Sequence, residues 1–147
     1  VNHLVNEQEW VPPLVEGQTV EQVGDRFEGD QLGDDPATAW DRAAAQAHQA
    51  LAEPGALSRT VHLSYGDSPA ESYAWEMVSD AVVHSWDLAR GIGADDHLDP
   101  ELVDVVLKRT QPHADSLAAS GYFAPQVPVP EDADPQTKLI ALFGRQP

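Results

Sequence analysis

The sequence predicts an all-α fold, a helical bundle, on three observations. An aspartate followed by proline recurs three times, in "DDPATAW", "LDPELVD" and "ADPQTKL", each time just ahead of an apolar-periodic run. Apolar residues return at helical spacing through most of the chain. Only one short stretch, "RTVHLSYG", alternates as a strand would. The Asp-Pro signal has a physical basis. A carboxylate can accept the unpaired N–H groups of a first helical turn, and proline at that turn has no N–H to leave unpaired.

Taken in order, the chain opens with "VNHLVNEQEW", which lies inside an amphipathic pattern with no cap residue before Val1, so a truncated beginning is expected. The first Asp-Pro signal starts a helix over Thr38 to Leu51, with Trp40, Ala43, Ala47 and Leu51 at helical spacing, ending before "EPGAL". In "RTVHLSYG" the alternation puts Val61, Leu63 and Tyr65 on one side and Thr60, His62 and Ser64 on the other, an extended segment that need not pair. Ser68 and Glu71 have capping-box spacing around Pro69, and the helix they open should run to about Arg90 before "GIG". The second signal starts a helix over Glu101 to Thr110, with Leu102, Val105, Val106 and Arg109 at helical spacing. Pro112 should break it, and Gly121 should close the segment that follows. The proline-rich "APQVPVPEDADP" must run extended as a loop over the domain surface, and Gln136 to Phe143 forms a short last helix ending at Gly144.

At 147 residues the chain is expected to form one domain, residues 1–147. Its 25 acidic and 8 basic side chains give a formal charge of -17, a field that repels phosphate backbones and anionic lipid surfaces; no nucleic-acid or membrane partner is expected. With no cysteine, any thiol chemistry must come from a bound small molecule. No stretch approaches the roughly twenty apolar residues of a membrane span, and the start has no signal-peptide profile, so the expected location is cytoplasmic.

The chemistry-bearing stretch is "SDAVVHSWDLARG", residues 79 to 91. On the longest predicted helix, Ala74, Met77, Val78, Ala81, Val82 and Leu88 spread over an apolar arc, while Glu76, Asp80, His84 and Asp87 form a polar stripe. One reading is a solvated stripe in which Asp80 and His84 make an i,i+4 pair worth a few tenths of a kcal/mol. The other is a metal site, because a carboxylate oxygen and an imidazole nitrogen one turn apart can share a divalent cation. Two ligands are too few for tight binding, and His3 is the best candidate for a third, although a lone histidine there more often packs at a core boundary. His48, His97 and His113 read as surface residues. His62 can point toward a cavity or sit solvated on its extended segment. Asp95, Asp96 and Asp99 lack the glycine and terminal glutamate of an EF-hand in register, which argues against calcium. The absence of a Gly-rich phosphate loop, "GxSxG" and "HExxH" argues against nucleotide enzymes, serine hydrolases and zincins.

"VNHLV", "DRFEGDQLGDDPATAW", "TVHLSYGD", "VVHSWDLARGIG", "LDPELV" and "KLIALFGRQP", in that order, resemble the metal-binding domain of the mycothiol-dependent maleylpyruvate isomerase family, within the DinB-like four-helix bundle superfamily. The resemblance implies a four-helix bundle whose metal is held by a histidine on its second helix and two side chains one turn apart on its third; by motif these are His3, Asp80 and His84. It implies zinc, with nickel as the alternative, and mycothiol as the thiol cofactor acting on a small electrophilic substrate in an isomerisation or thiol transfer. It assigns no catalytic or thiol-binding residue. There are three departures. The isomerase has glutamate where this chain has Asp80. It carries a second, carrier-protein-like domain. A helix should precede the one bearing His3, so either the sequence is a fragment or another chain, such as a second copy in a homodimer, covers the exposed face. A non-catalytic metal-binding or sensing module is the competing expectation.

Overall fold

The computed structural model describes residues 1–147, the side chains of Ala118 and Ser120 excepted, and is mainly helical. The chain packs into two compact units, Val1–Val78 and Ser79–Pro147, where the sequence reads as a single domain.

The first unit opens with α1 (Asn2–Val15), which carries Pro12 and Pro13 in its last turns. Each removes one bond to the carbonyl four residues back, and the buried side chains of Val11, Leu14 and Val15 hold these turns in place. A short α2 (Val20–Val23) follows, with a complete capping box between Thr19 and Gln22. The helix α3 (Pro36–Ala52) starts at the proline of the first Asp-Pro signal, two residues ahead of the expected Thr38, with Asp35 accepting from the N–H groups of Ala37 and Thr38. Its buried stripe is Ala39, Ala43 and Ala47, and these small side chains let α3 pack closely along α1. Val5 joins Ala39 and Ala43 in one cluster. Val11, Leu14 and Val15 join Ala47, Val61 and Tyr73 in another.

The alternating segment does pair. β1 (Thr60–Leu63) and β2 (Gly66–Pro69) form an antiparallel hairpin in which Val61 faces Ser68. Val61 is buried, but Tyr65 lies in the turn and is 60% exposed, so it does not continue the inward face. Its hydroxyl instead donates to the Glu76 carboxylate. Ser68 belongs to β2, and α4 (Ala70–Ile92) begins directly after Pro69. The capping-box spacing at Ser68 therefore marks the right boundary for a different reason, the end of a hairpin.

In the second unit, α4 buries Val82, Val83 and Trp86, whereas Leu88 is 41% exposed. Leu88 thus lies outside the buried face expected from the sequence. The helix α5 (Pro100–Thr110) is capped by Asp99 and buries Val103 and Val106; Leu102 and Val105 are half exposed, so its buried face is turned from the expected one. A 3-10 turn at Gln111–His113 contains Pro112 and leads into α6 (Ala114–Ser120), which Gly121 ends. The proline-rich segment runs extended and is tied down by Val127 N–H donating to the Ala141 carbonyl at 3.0 Å. The last helix, α7 (Pro135–Leu142), is capped by Asp134 and packs against α5, with Leu139, Ile140, Ala141 and Leu142 buried. Among the described residues no helix is long and apolar enough to cross a membrane.

Candidate metal centre

Asp80, His84 and Asp87 project from one face of α4 because residues three, four and seven apart fall within a narrow arc. The face does not look out to bulk water: the side chains of Asp80 and His84 are 20% and 26% exposed. His84 is held on both sides of its ring. Nδ1 lies 2.9 Å from Asp87 Oδ2, and Nε2 lies 3.3 Å from Asp80 Oδ1.

Asp87 is itself fixed from across the unit. Arg145 brings Nη2 to 2.8 Å from Asp87 Oδ2 and Nε to 3.3 Å from both carboxylate oxygens. Arg145 is delivered by the turn that ends α7. Gly144, at φ +77, lets its own N–H reach the Ala141 carbonyl and the Arg145 N–H reach that of Ile140, the paired bonds of a Schellman stop. The guanidinium also donates through Nη1 to the Phe143 carbonyl at 2.9 Å. Burial pushes the Asp87 carboxyl up, but the hydrogen bond and charge of Arg145, followed by those of His84, outweigh it and hold the group below the usual carboxylate range. Asp87 is therefore an ionised acceptor at neutral pH.

An ionised Asp87 on Nδ1 selects the imidazole form that carries a proton there. In the neutral ring this leaves Nε2, which lies 3.3 Å from Asp80 Oδ1, as the donor atom a cation would use. A histidine whose far nitrogen is oriented by a carboxylate is the usual supporting arrangement of a metal ligand.

His3 belongs to the first unit, on the first turn of α1, 55% exposed and with Nδ1 3.7 Å from Glu7 Oε1 one turn on. Both histidines of the expected ligand set thus have a carboxylate from their own helix on the Nδ1 side. The remaining histidines have other surroundings. His62 pairs across the hairpin with Asp67 at 2.7 Å, which answers the alternative of a cavity-facing ring. His48 and His113 are exposed. Asp95, Asp96 and His97 stand close enough to share an ion, but Asp95 already meets His97 at 2.6 Å, Asp96 meets Arg90 at 3.3 Å, and Asp99 caps α5.

Sequence reasoning assigned no role to Arg145 and placed Asp87 only in the stripe. No local pattern joins two residues 58 apart; the one signal is the glycine at position 144 ahead of a lone arginine.

No family model matches the chain, and no solved structure matches it significantly. Over 105 residues it is 33% identical to the uncharacterized proteins Rv0738 and MT0763 of two Mycobacterium tuberculosis strains, an alignment that takes in 70% of this chain and 58% of each relative. The chain thus spans less than two thirds of the length of these relatives.

Proposed function

We propose that this chain is a cytoplasmic, divalent-metal-binding protein of the DinB-like bundle type, using His3, Asp80 and His84 as ligands and acting with a small thiol on a small electrophile. The observation that carries the reading is His84, pinned at Nδ1 by an ionised Asp87 with Nε2 turned to Asp80 Oδ1 at 3.3 Å. Nitrogen and carboxylate oxygen together suit zinc, with nickel second. When bound, a divalent cation supplies Lewis acidity that lowers the pKa of a thiol or water.

The chain's own residues have separable parts in this reading. His84 and Asp80 present a nitrogen and an oxygen donor one turn apart. Asp87 fixes which imidazole nitrogen is available, and Arg145 keeps Asp87 ionised and in place. Three protein ligands leave positions for thiol and substrate. The absence of cysteine requires the thiol to be a cofactor, and mycothiol enters from the resemblance in the motifs. Aspartate at position 80, one methylene shorter than glutamate, draws the carboxylate closer to the helix, which alters the metal preference or widens the open coordination positions.

Elemental analysis of untagged protein, followed by a chelator challenge of His3→Ala, Asp80→Ala, His84→Ala and His48→Ala, tests the ligand set. The first three variants should lose the metal, and His48→Ala should keep it. Equal retention in His3→Ala and His48→Ala removes His3 from the set. A metal-free wild type leaves His84 as a member of a side-chain network with Asp80, Asp87 and Arg145. Metal binding without turnover of mycothiol and an electrophile panel gives the second reading, a sensing or storage module.

A further inference from the structure

A cleft of ≈ 600 Å³ opens in the first unit between α1 and the segment that follows α2, lined by Asn6 and Trp10 on the helix and by Phe27 and Glu28 on the segment, with His3 at one end. Its walls are built by specific bonds. Asn6 Nδ2 donates to the Phe27 carbonyl, and Asn2 Nδ2 donates to the Gly29 carbonyl at 3.0 Å while Asn2 Oδ1 accepts from the Gln31 N–H at 2.8 Å. The segment is therefore held against two successive turns of α1 by amide side chains.

The lining has a one-sided chemistry. Trp10 and Phe27 meet edge to face at 5.7 Å and offer π-electron density. Glu28 is exposed and has no cationic partner among the described residues, and Asn6 has Oδ1 left as a spare acceptor after its amide nitrogen is engaged. No lysine or arginine lines the cleft. Arg26 lies outside it, its guanidinium 5.7 Å from the Phe27 ring centre, so a cation already sits against one of these rings. Carboxylate, amide oxygen and aromatic faces all favour a positively charged donor, and the chain's charge of -17 draws cations toward it. Within the lining only His3 can offer an anion a positive charge, and only when protonated.

We infer that this cleft binds a small organic ammonium, an amine carrying a flat apolar group, with the ammonium between Glu28 and Asn6 and the apolar part against Trp10 and Phe27. The inference stands on the cleft alone and goes beyond the metal reading, which it neither needs nor supports.

The test is a titration of isotope-labelled protein in excess chelator, followed at the Trp10 indole N–H and the amides of Phe27 to Gly29, with benzylammonium, benzyl alcohol and phenylacetate as probes. Benzylammonium should shift these signals saturably with an affinity of about millimolar, as befits so small a ligand. Benzyl alcohol should bind at least about threefold more weakly, and Glu28→Gln should weaken benzylammonium by about two- to fivefold. Glu28 is exposed, so this variant keeps the fold. Equal binding of benzyl alcohol, saturable binding of phenylacetate, indifference to Glu28→Gln, or no shift with benzylammonium each overturns the inference. Because chelator is present throughout, failure here is distinct from failure of the metal centre, which elemental analysis reads.

Discussion

Replacing Arg145 with alanine should destabilise the chain by about 2–3 kcal/mol, most of it through Asp87. The contact is a fork with one short bond, Nη2 to Oδ2 at 2.8 Å, and two longer ones from Nε at 3.3 Å, between side chains only 22% and 32% exposed. Hydrogen bonds to charged groups contribute about 1.5–3 kcal/mol, and the long Nε contacts place this one in the lower half. The Nη1 bond to the Phe143 carbonyl adds about 0.5–1 kcal/mol. The Phe123 ring, 6.0 Å from the guanidinium, lies at the limit of cation–π range and adds about 0.5 kcal/mol at most. Urea unfolding followed by far-ultraviolet circular dichroism and tryptophan fluorescence should show a midpoint lowered by about 1–2 M. A cycle with Asp87→Asn and the double variant should give a coupling of about 1–2 kcal/mol. On the proposed metal-binding function, Asp87→Asn should also weaken metal binding by about 10–100-fold, since it removes the group that orients His84. A coupling below about 0.3 kcal/mol would refute the claim that Arg145 acts through Asp87.

Gly144→Ala should cost about 2 kcal/mol or more in the same unfolding assay, because φ is +77 and an added Cβ would lie 2.4 Å from the Ala124 carbonyl oxygen; a neutral result would contradict the Schellman stop. Asn2→Ala should raise hydrogen exchange at the Gln31 amide while leaving the amides of α3 protected, and unchanged exchange would show that the segment is held by something else. Acid should destabilise the fold through its helix caps. Thr38, by its hydroxyl and then its N–H, holds the Asp35 carboxyl below its usual 3.8, and Thr137 does the same for Asp134. A lowered folded-state value gives stability that is complete above the unfolded value and lost as pH falls through the folded one, so the loss begins near 3.8 and finishes below it. Asp35→Asn and Asp134→Asn should flatten that part of the curve, and an unaltered curve would exclude the caps as its source.

The helix starts at Pro36, Pro100 and Pro135 were legible to within two residues because their cause is local: an aspartate reaches N–H groups within the next three residues, whatever the rest of the chain does. The hairpin was half legible. Alternation marked Val61 as inward, but pairing depends on Gly66 to Pro69, whose sequence carries no strand signal. Periodicity misjudged Leu88 and Leu102 because it finds apolar side chains on a helix without saying which of two apolar faces a neighbour will cover. In the candidate site, the Asp80–His84 pair follows from helical spacing alone. The ionised state of Asp87 does not, since it depends on a guanidinium brought there by tertiary packing.

The Asp87–Arg145 contact also bears on the order in which the second unit assembles. Closing a flexible loop of 58 residues opposes the contact by about 3–4 kcal/mol, more than the pair itself contributes. The pair therefore cannot nucleate the unit. Apolar packing that carries the end of α7 to α4 must come first, and the guanidinium then locks an arrangement already made. A late-forming lock slows unfolding far more than it speeds folding. Its removal should leave the refolding limb of a chevron almost unmoved and raise the unfolding limb, so the bond's main kinetic effect is on how long the centre around His84 persists once formed.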